Sequence, residues 1–189
     1  SWLAGPHHDA ILQASAEVYA ACRDYGFLYI CETGIPEELE DSLDADAREF
    51  FQLPLDQKMA ISMNRGGLAW RGFFPVGGEL TSGRPDVKEG IYFGQDRSAE
   101  DPRVQSRTPL FGQSLYPNQP ATMAERVPLY MAYCEAVGQG LLALVALSLQ
   151  LPATHFLKHM CKDPTCLFRM FHYPPPATVS QELRDPALW

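Results

Sequence analysis

The chain has 189 residues, 46% apolar and 20% charged, with 15 Lys+Arg against 23 Asp+Glu and a net charge of −8. This composition argues for one globular domain, or part of a larger one, and against disorder. The acidic balance argues against nucleic acid and anionic membrane as main partners, because both need a basic face.

The charge is local. Eight acidic residues and one Arg fall between Glu32 and Phe50. The longest aliphatic run, Leu141 to Leu147, falls far short of the ~20 residues a bilayer span needs, so no span is expected. No secretory signal is visible. Cys22, Cys31, Cys134, Cys161 and Cys166 have no framework spacing, which points to free thiols in a reducing, cytoplasmic compartment. The opening at Ser1 instead of Met suggests that residues precede it.

In chain order, Asp9 to Tyr25 predicts an amphipathic helix with Ile11, Ala14, Val18, Ala21 and Cys22 on its stripe, stopped at Gly26. Phe27-Leu28-Tyr29-Ile30-Cys31 predicts a buried strand. A turn at Thr33 to Pro36 feeds a second helix. Its Leu39, Leu43, Ala47 and Phe50 share one face, and its acids occupy solvated ones. Leu53-Pro54 ends it, and Asp56 to Ile61 suggests a further short helix. Asn64 to Gly90 is rich in Gly and Pro around Trp70, Phe73 and Phe74, which predicts an irregular surface loop with short strands. Val87 to Gly94 predicts a strand, and Gln95 to Pro120 a loop. Thr122 to Gln150 predicts a long helix on Val127, Met131, Cys134, Val137, Leu141, Leu142, Val145 and Leu149, with Gly138 and Gly140 open to a close neighbour. A short helix over Pro152 to Met160 and a strand over Cys166 to His172 follow.

Phosphate-loop, dinucleotide and nucleophile-elbow motifs are absent from the sequence. His155 and His159 share a helix face near Cys161 and Cys166, a mix that suits zinc, but without a standard zinc spacing. His7-His8-Asp9 contains a His-x-Asp sequence, yet at a helix start, where Asp9 reads better as a cap. Arg169 and Tyr173 have strand parity, and a cation beside a phenol suits a carboxylate ligand.

The ordered segments ACRDYGFLYICETGIPEEL, REFFQLPLDQKMAI, WRGFFPVGGELTSGRPDVKEGIYFG, the long helix and FRMFHYPPP together resemble the 2-oxoglutarate/Fe(II)-dependent oxygenases of the isopenicillin N synthase-like group. The resemblance implies an α+β fold: an N-terminal helix and strand region, a long backbone helix, and the first strand of an incomplete double-stranded β-helix (jelly roll). Residues 1–120 would be the N-terminal region. Residues 121–189 would be the backbone helix and the start of the core.

The resemblance also implies a reaction class. Fe(II) and 2-oxoglutarate, with O2, would hydroxylate, desaturate or cyclise a small-molecule substrate. Tyr173 matches the Tyr of the family's Tyr-Pro motif, which contacts 2-oxoglutarate. Arg169 matches a basic position on the same strand. Arg71, Phe73, Tyr92 and Phe93 match segments bordering the substrate entrance. The family's iron ligands lie downstream of the Tyr-Pro motif, and none of the five histidines here falls at a ligand position. The expectation is therefore an N-terminal fragment, truncated at both ends, that is inactive alone and binds neither cofactor tightly. The alternative is a non-catalytic short form acting as an interaction module. The substrate is not legible.

Overall fold

The structure is a computed structural model that describes residues 7–81, 83–179 and 183. Parts of the two expected regions, residues 1–6, 82, 180–182 and 184–189, lie outside the described residues. The chain divides into two compact units. One comprises the chain up to Pro36 together with Ala132–Pro164; the other comprises Glu37–Met131 and the chain from Thr165 onward.

In the first unit, α1 (His8–Asp24) buries Ser15 and Val18. The Ser15 hydroxyl donates to the Leu144 carbonyl at 3.0 Å, which ties α1 to the second half of a long helix. Gly26, at φ +80°, ends α1 in a conformation that side chains resist. Asp9 does not cap α1. It lies in the first turn, and His7 is the capping position without a side-chain bond. The expected strand Phe27 to Cys31 is not a strand. It is exposed backbone, with Phe27 67% and Tyr29 96% accessible. β-propensity expresses itself only against a partner strand, and none pairs with this segment among the described residues. A short helix, α7 (His155–His159), completes the unit, and its two His rings lie 5.1 Å apart.

The second unit begins with α2 (Glu37–Gln52), which buries Leu39, Leu43 and Phe50 as the periodicity predicts. Asp46 departs from the expected solvated acids. It is buried, because it accepts from the Arg126 guanidinium at 2.7 Å and the Thr122 hydroxyl at 2.9 Å. Helices α3 (Leu55–Met59) and α4 (Met63–Gly66) lead into β1 (Gly72–Phe74). A hairpin of β2 (Leu80–Thr81) and β3 (Arg84–Pro85) follows, then β4 (Glu89–Gly94) and the single turn α5 (Pro102–Gln105). Helix α6 (Met123–Ser148) belongs to both units, and β5 (Leu167–His172) closes the sheet. The sheet order is β1-β4-β5, antiparallel throughout, with Gly72 opposite Tyr92 and Tyr92 opposite Arg169.

The core of this unit lies under the sheet. Phe50, Ile91, Phe93, Met123 and Val127 have no accessible surface. Burying each such side chain is worth about 1.5–3 kcal/mol.

Further along α6 the apolar pattern is half-buried: Val137, Leu141, Leu142 and Val145 are partly accessible, while Ala143 and Ala146 are buried. Cys134 and Leu149 are exposed, and among the described residues nothing lies within 4 Å of where a Cβ would stand at Gly138 or Gly140, so no described element makes the close approach expected there. By length and composition α6 is apolar enough to cross a membrane. Counting only consecutive aliphatics overlooks this, because Tyr133, Cys134, Glu135, Gly138, Gln139 and Gly140 interrupt the run.

Candidate functional site

Alternation along β4 and β5 sends side chains to two faces. Glu89, Ile91 and Phe93 share the core face with Phe168, Met170 and His172. Gly90, Tyr92 and Gly94 share the opposite face with Arg169 and Phe171, as the register dictates. Phe74 of β1 joins this second face. The rings of Phe74, Tyr92 and Phe171 form an aromatic platform with centroids 5.6 to 6.2 Å apart. Gly90 makes room for it, since a Cβ there would stand 2.6 Å from the Phe171 ring and 2.7 Å from the Phe74 ring.

Arg169 is exposed and lies over this platform, 5.5 Å from the Tyr92 centroid and 5.4 Å from that of Phe171. Among the described residues no carboxylate pairs with it. A guanidinium held against rings but not neutralised is a carboxylate-binding group. Tyr173 follows directly after β5 and is 62% exposed. Both side chains can donate to an anionic oxygen, and strand parity gives them the same face.

The rim is charged. Glu79 accepts a short hydrogen bond from the Tyr92 hydroxyl. Burial pushes the Tyr92 phenol above its ordinary range, Glu79 adds to this, and Arg169 opposes it. Lys88 lies 2.8 Å from Asp86 and 3.0 Å from Glu79, and it sits 4.7 Å over the Phe171 ring. Asp86 first, then Glu79, hold its ammonium well above the usual lysine range. Beside the platform is a cleft of about 560 Å³ lined by Met59, Met63, Trp70, Phe74 and Glu79 among others.

The other entrance candidates are placed differently. Phe73 and Phe93 are buried under the sheet, in the core, and Phe73 also lines the cleft. Arg71 is 2% exposed. Its guanidinium donates to the carbonyls of Gly112 at 2.7 Å and Leu110 at 3.1 Å, and lies 3.7 Å from Asp96. Burial lowers its pKa and Asp96 opposes that. Its Nε is buried with no hydrogen-bond partner. Arg71 thus fastens the loop after β4 from inside.

That loop is also pinned at its surface. Asp101 caps α5, accepting from the Arg103 amide at 2.9 Å and from its guanidinium at 2.8 and 3.0 Å, while Arg103 lies 4.4 Å over the Phe111 ring. Hydrogen bonds from Arg103 pull the Asp101 carboxyl down to about 2. A depressed acid contributes its stabilisation above its unfolded pKa and loses it as pH falls through the folded one. The expected result is that the Arg103 amide resonance titrates near pH 2 in this protein, and not near the ordinary value of 3.8. A midpoint at the ordinary value would show that the cap does not form in solution.

Charged residues that sequence patterns did not single out stand beneath the sheet. Glu89 of β4 is buried and bonds Lys58 Nζ at 2.7 Å through one oxygen and His172 Nδ1 at 2.9 Å through the other. A signal was available: Glu89 has the strand parity of Ile91 and Phe93, an acid on an apolar face.

Among the described residues no group of three His, Cys, Asp or Glu gathers as a metal-ligand set. His155, His159, Cys161 and Cys166 do not converge into one, and neither do His7, His8 and Asp9. The residues described here do not fit an iron centre by themselves.

Comparison with known proteins bears on the whole arrangement. The family described as "non-haem dioxygenase in morphine synthesis N-terminal" matches residues 3–119. A Dictyostelium discoideum protein named "Probable iron/ascorbate oxidoreductase" is 39% identical over 167 residues, covering 85% of this chain and 46% of its own length. A "2-oxoglutarate-dependent dioxygenase" from Didymella fabae is 30% identical over 191 aligned positions, covering 97% and 57% respectively. A crystal structure assigned to the 2OG-Fe(II) oxygenase family, from Caulobacter crescentus, superposes with a TM-score of 0.74 at 24% identity, over 88% of this chain and 53% of that one. The chain therefore spans about half the length of the curated relatives it matches. A long helix feeding an antiparallel sheet with a basic aromatic face, the N-terminal family match and these relatives converge: the chain belongs to the 2-oxoglutarate/Fe(II)-dependent oxygenase superfamily.

Proposed function

We propose that this chain is the N-terminal part of an Fe(II)/2-oxoglutarate-dependent oxygenase acting on a small molecule, and that it supplies cosubstrate contacts while the iron ligands come from elsewhere in the protein. The observation that carries this is the unneutralised Arg169 guanidinium over the Tyr92–Phe171 platform, with exposed Tyr173 of the same strand parity four residues on. Arg169 and Tyr173 would hold 2-oxoglutarate by its carboxylate and keto oxygens. Iron with this keto acid supplies the oxidising power when both are bound. In this reading residues 1–120 are the N-terminal region and residues 121–189 begin the core.

The substrate's path runs along the cleft beside Trp70 and Phe74. Phe73 lines it too, Tyr92 packs against Phe74 beside it, and among the described residues Phe93 and Arg71 are not part of its lining. The hairpin β2–β3, drawn down by the Glu79–Tyr92 bond, acts as a cover that keeps water from the site. The chain alone binds neither cofactor tightly and does not turn over. The partner is a small molecule and not nucleic acid or membrane, and the compartment is the cytoplasm.

Arg169→Gln in the whole protein is expected to raise KM for 2-oxoglutarate by roughly tenfold or more, the loss of a charge-assisted contact. Succinate formation against keto-acid concentration measures it. An unchanged KM removes Arg169 from the site. Keto-acid-dependent oxygen uptake by the 189-residue chain alone would refute the proposed division of labour.

A further inference from the structure

We propose that Glu89 and His172 are a pair of positioning residues that aim Tyr173, with Lys58 as the buried counter-charge that keeps Glu89 in place. The proposal rests on the assignment of Tyr173 to 2-oxoglutarate.

Glu89 and His172 face each other as the terminal pair of the β4–β5 ladder. Beyond His172 no strand bond holds the chain, and ladder ends are where sheets fray. Tyr173 comes next and is followed by Pro174, Pro175 and Pro176. A residue before proline is confined to extended backbone, and consecutive prolines are stiff. The direction of the Tyr173 side chain is therefore set mainly at its joint with His172.

That joint is gripped from two sides. The imidazole Nδ1 lies 2.9 Å from Glu89 Oε1, and the Phe51 ring packs against the imidazole at 5.5 Å between centroids. Both grips return to Lys58. Its Nζ donates to Glu89 Oε2 at 2.7 Å and to the Phe51 carbonyl at 3.1 Å. The side chains of Lys58 and Glu89 are only 8% and 7% exposed. A buried ion pair stabilises a fold no better than apolar residues of the same size, so its use here suits a role in fixing geometry. The same contact favours the register: a slip of β5 by one residue would bring Phe171 or Tyr173 opposite Glu89 in place of the imidazole.

The test uses the whole oxygenase that carries this chain, with KM for 2-oxoglutarate and kcat measured separately. His172→Gln places its amide where Nε2 stands and misses Glu89. It is expected to raise KM roughly tenfold while kcat at saturation moves less than about twofold. His172→Asn places an amide N–H where Nδ1–H stands and is expected to restore most of the affinity. A role in packing alone would lower the active fraction, and so kcat, and leave KM unmoved. An unchanged KM in His172→Gln, or equal defects in the Gln and Asn variants, overturns the proposal. Tyr173→Phe separates it from the functional reading. If that variant raises KM and His172→Gln does not, only the positioning role falls. If neither raises it, the assignment of Tyr173 to the keto acid falls and the positioning role with it.

Discussion

Glu89→Ala is expected to cost about 3–5 kcal/mol of stability, because it breaks a buried ion pair from one side. The reason is what stays behind. Lys58 is buried against the Phe73 ring, its Nζ 5.4 Å from the centroid, and without Glu89 its ammonium keeps one backbone carbonyl as its remaining acceptor. Taking an ammonium out of water is tolerable only with a counter-charge close by. The same substitution releases His172. The measurement is the shift in denaturant midpoint at constant slope. Lys58→Met in the Glu89→Leu background is expected to recover most of the loss, because two apolar side chains of similar volume satisfy each other. A midpoint for Glu89→Ala within about 1 kcal/mol of the parent would mean that water reaches the pair in solution.

Gly72→Ala is expected to be nearly as damaging, at more than about 3 kcal/mol, for a reason of backbone geometry. Gly72 opens β1 at φ +112°, and a Cβ there would stand 2.4 Å from the Ile61 carbonyl oxygen and 3.1 Å from the Ser62 carbonyl carbon. Those are main-chain atoms and cannot rotate away. The crowding exists because β1 is laid against the end of α3, with the Phe73 amide donating to Ile61 O at 2.8 Å and a parallel bridge between Ser62 and Phe73. Gly26→Ala is the control. It has a similar left-handed φ of +80° but nothing within 4 Å, so it should cost only the conformational term, about 1 kcal/mol. Thermal melts of the two variants measure the difference. Equal losses would place the whole effect in φ and remove the close approach.

Local order was legible in the residues. The stripe Leu39, Leu43, Ala47, Phe50 marks α2 and its buried face, and Gly26 marks the end of α1, because helix periodicity and backbone freedom are properties of short segments. The segment order from Cys22 to Pro176 carries the family. Phe27 to Ile30 shows the limit. Its composition spells a strand, but a strand is a pairing, and the described chain holds no partner for it.

The two faces of the sheet were decided by tertiary structure. Parity alone places Arg169 with Tyr173. Only the register of β4 against β5 brings Arg169 over Tyr92 and sets Glu89 opposite His172. Arg71 makes the same point, since nothing in the sequence of its own segment tells a buried guanidinium holding the carbonyls of Leu110 and Gly112 from an exposed one facing substrate. Charge–charge and hydrogen-bond contacts between residues about 30 to 80 positions apart depend on the closed sheet, whereas helices and turns depend on neighbours a few positions away. The amino-acid sequence by itself thus determined the helices and the kinship of this protein, and the packed sheet alone decided which of its charges lie exposed over the aromatic face and which are buried beneath it.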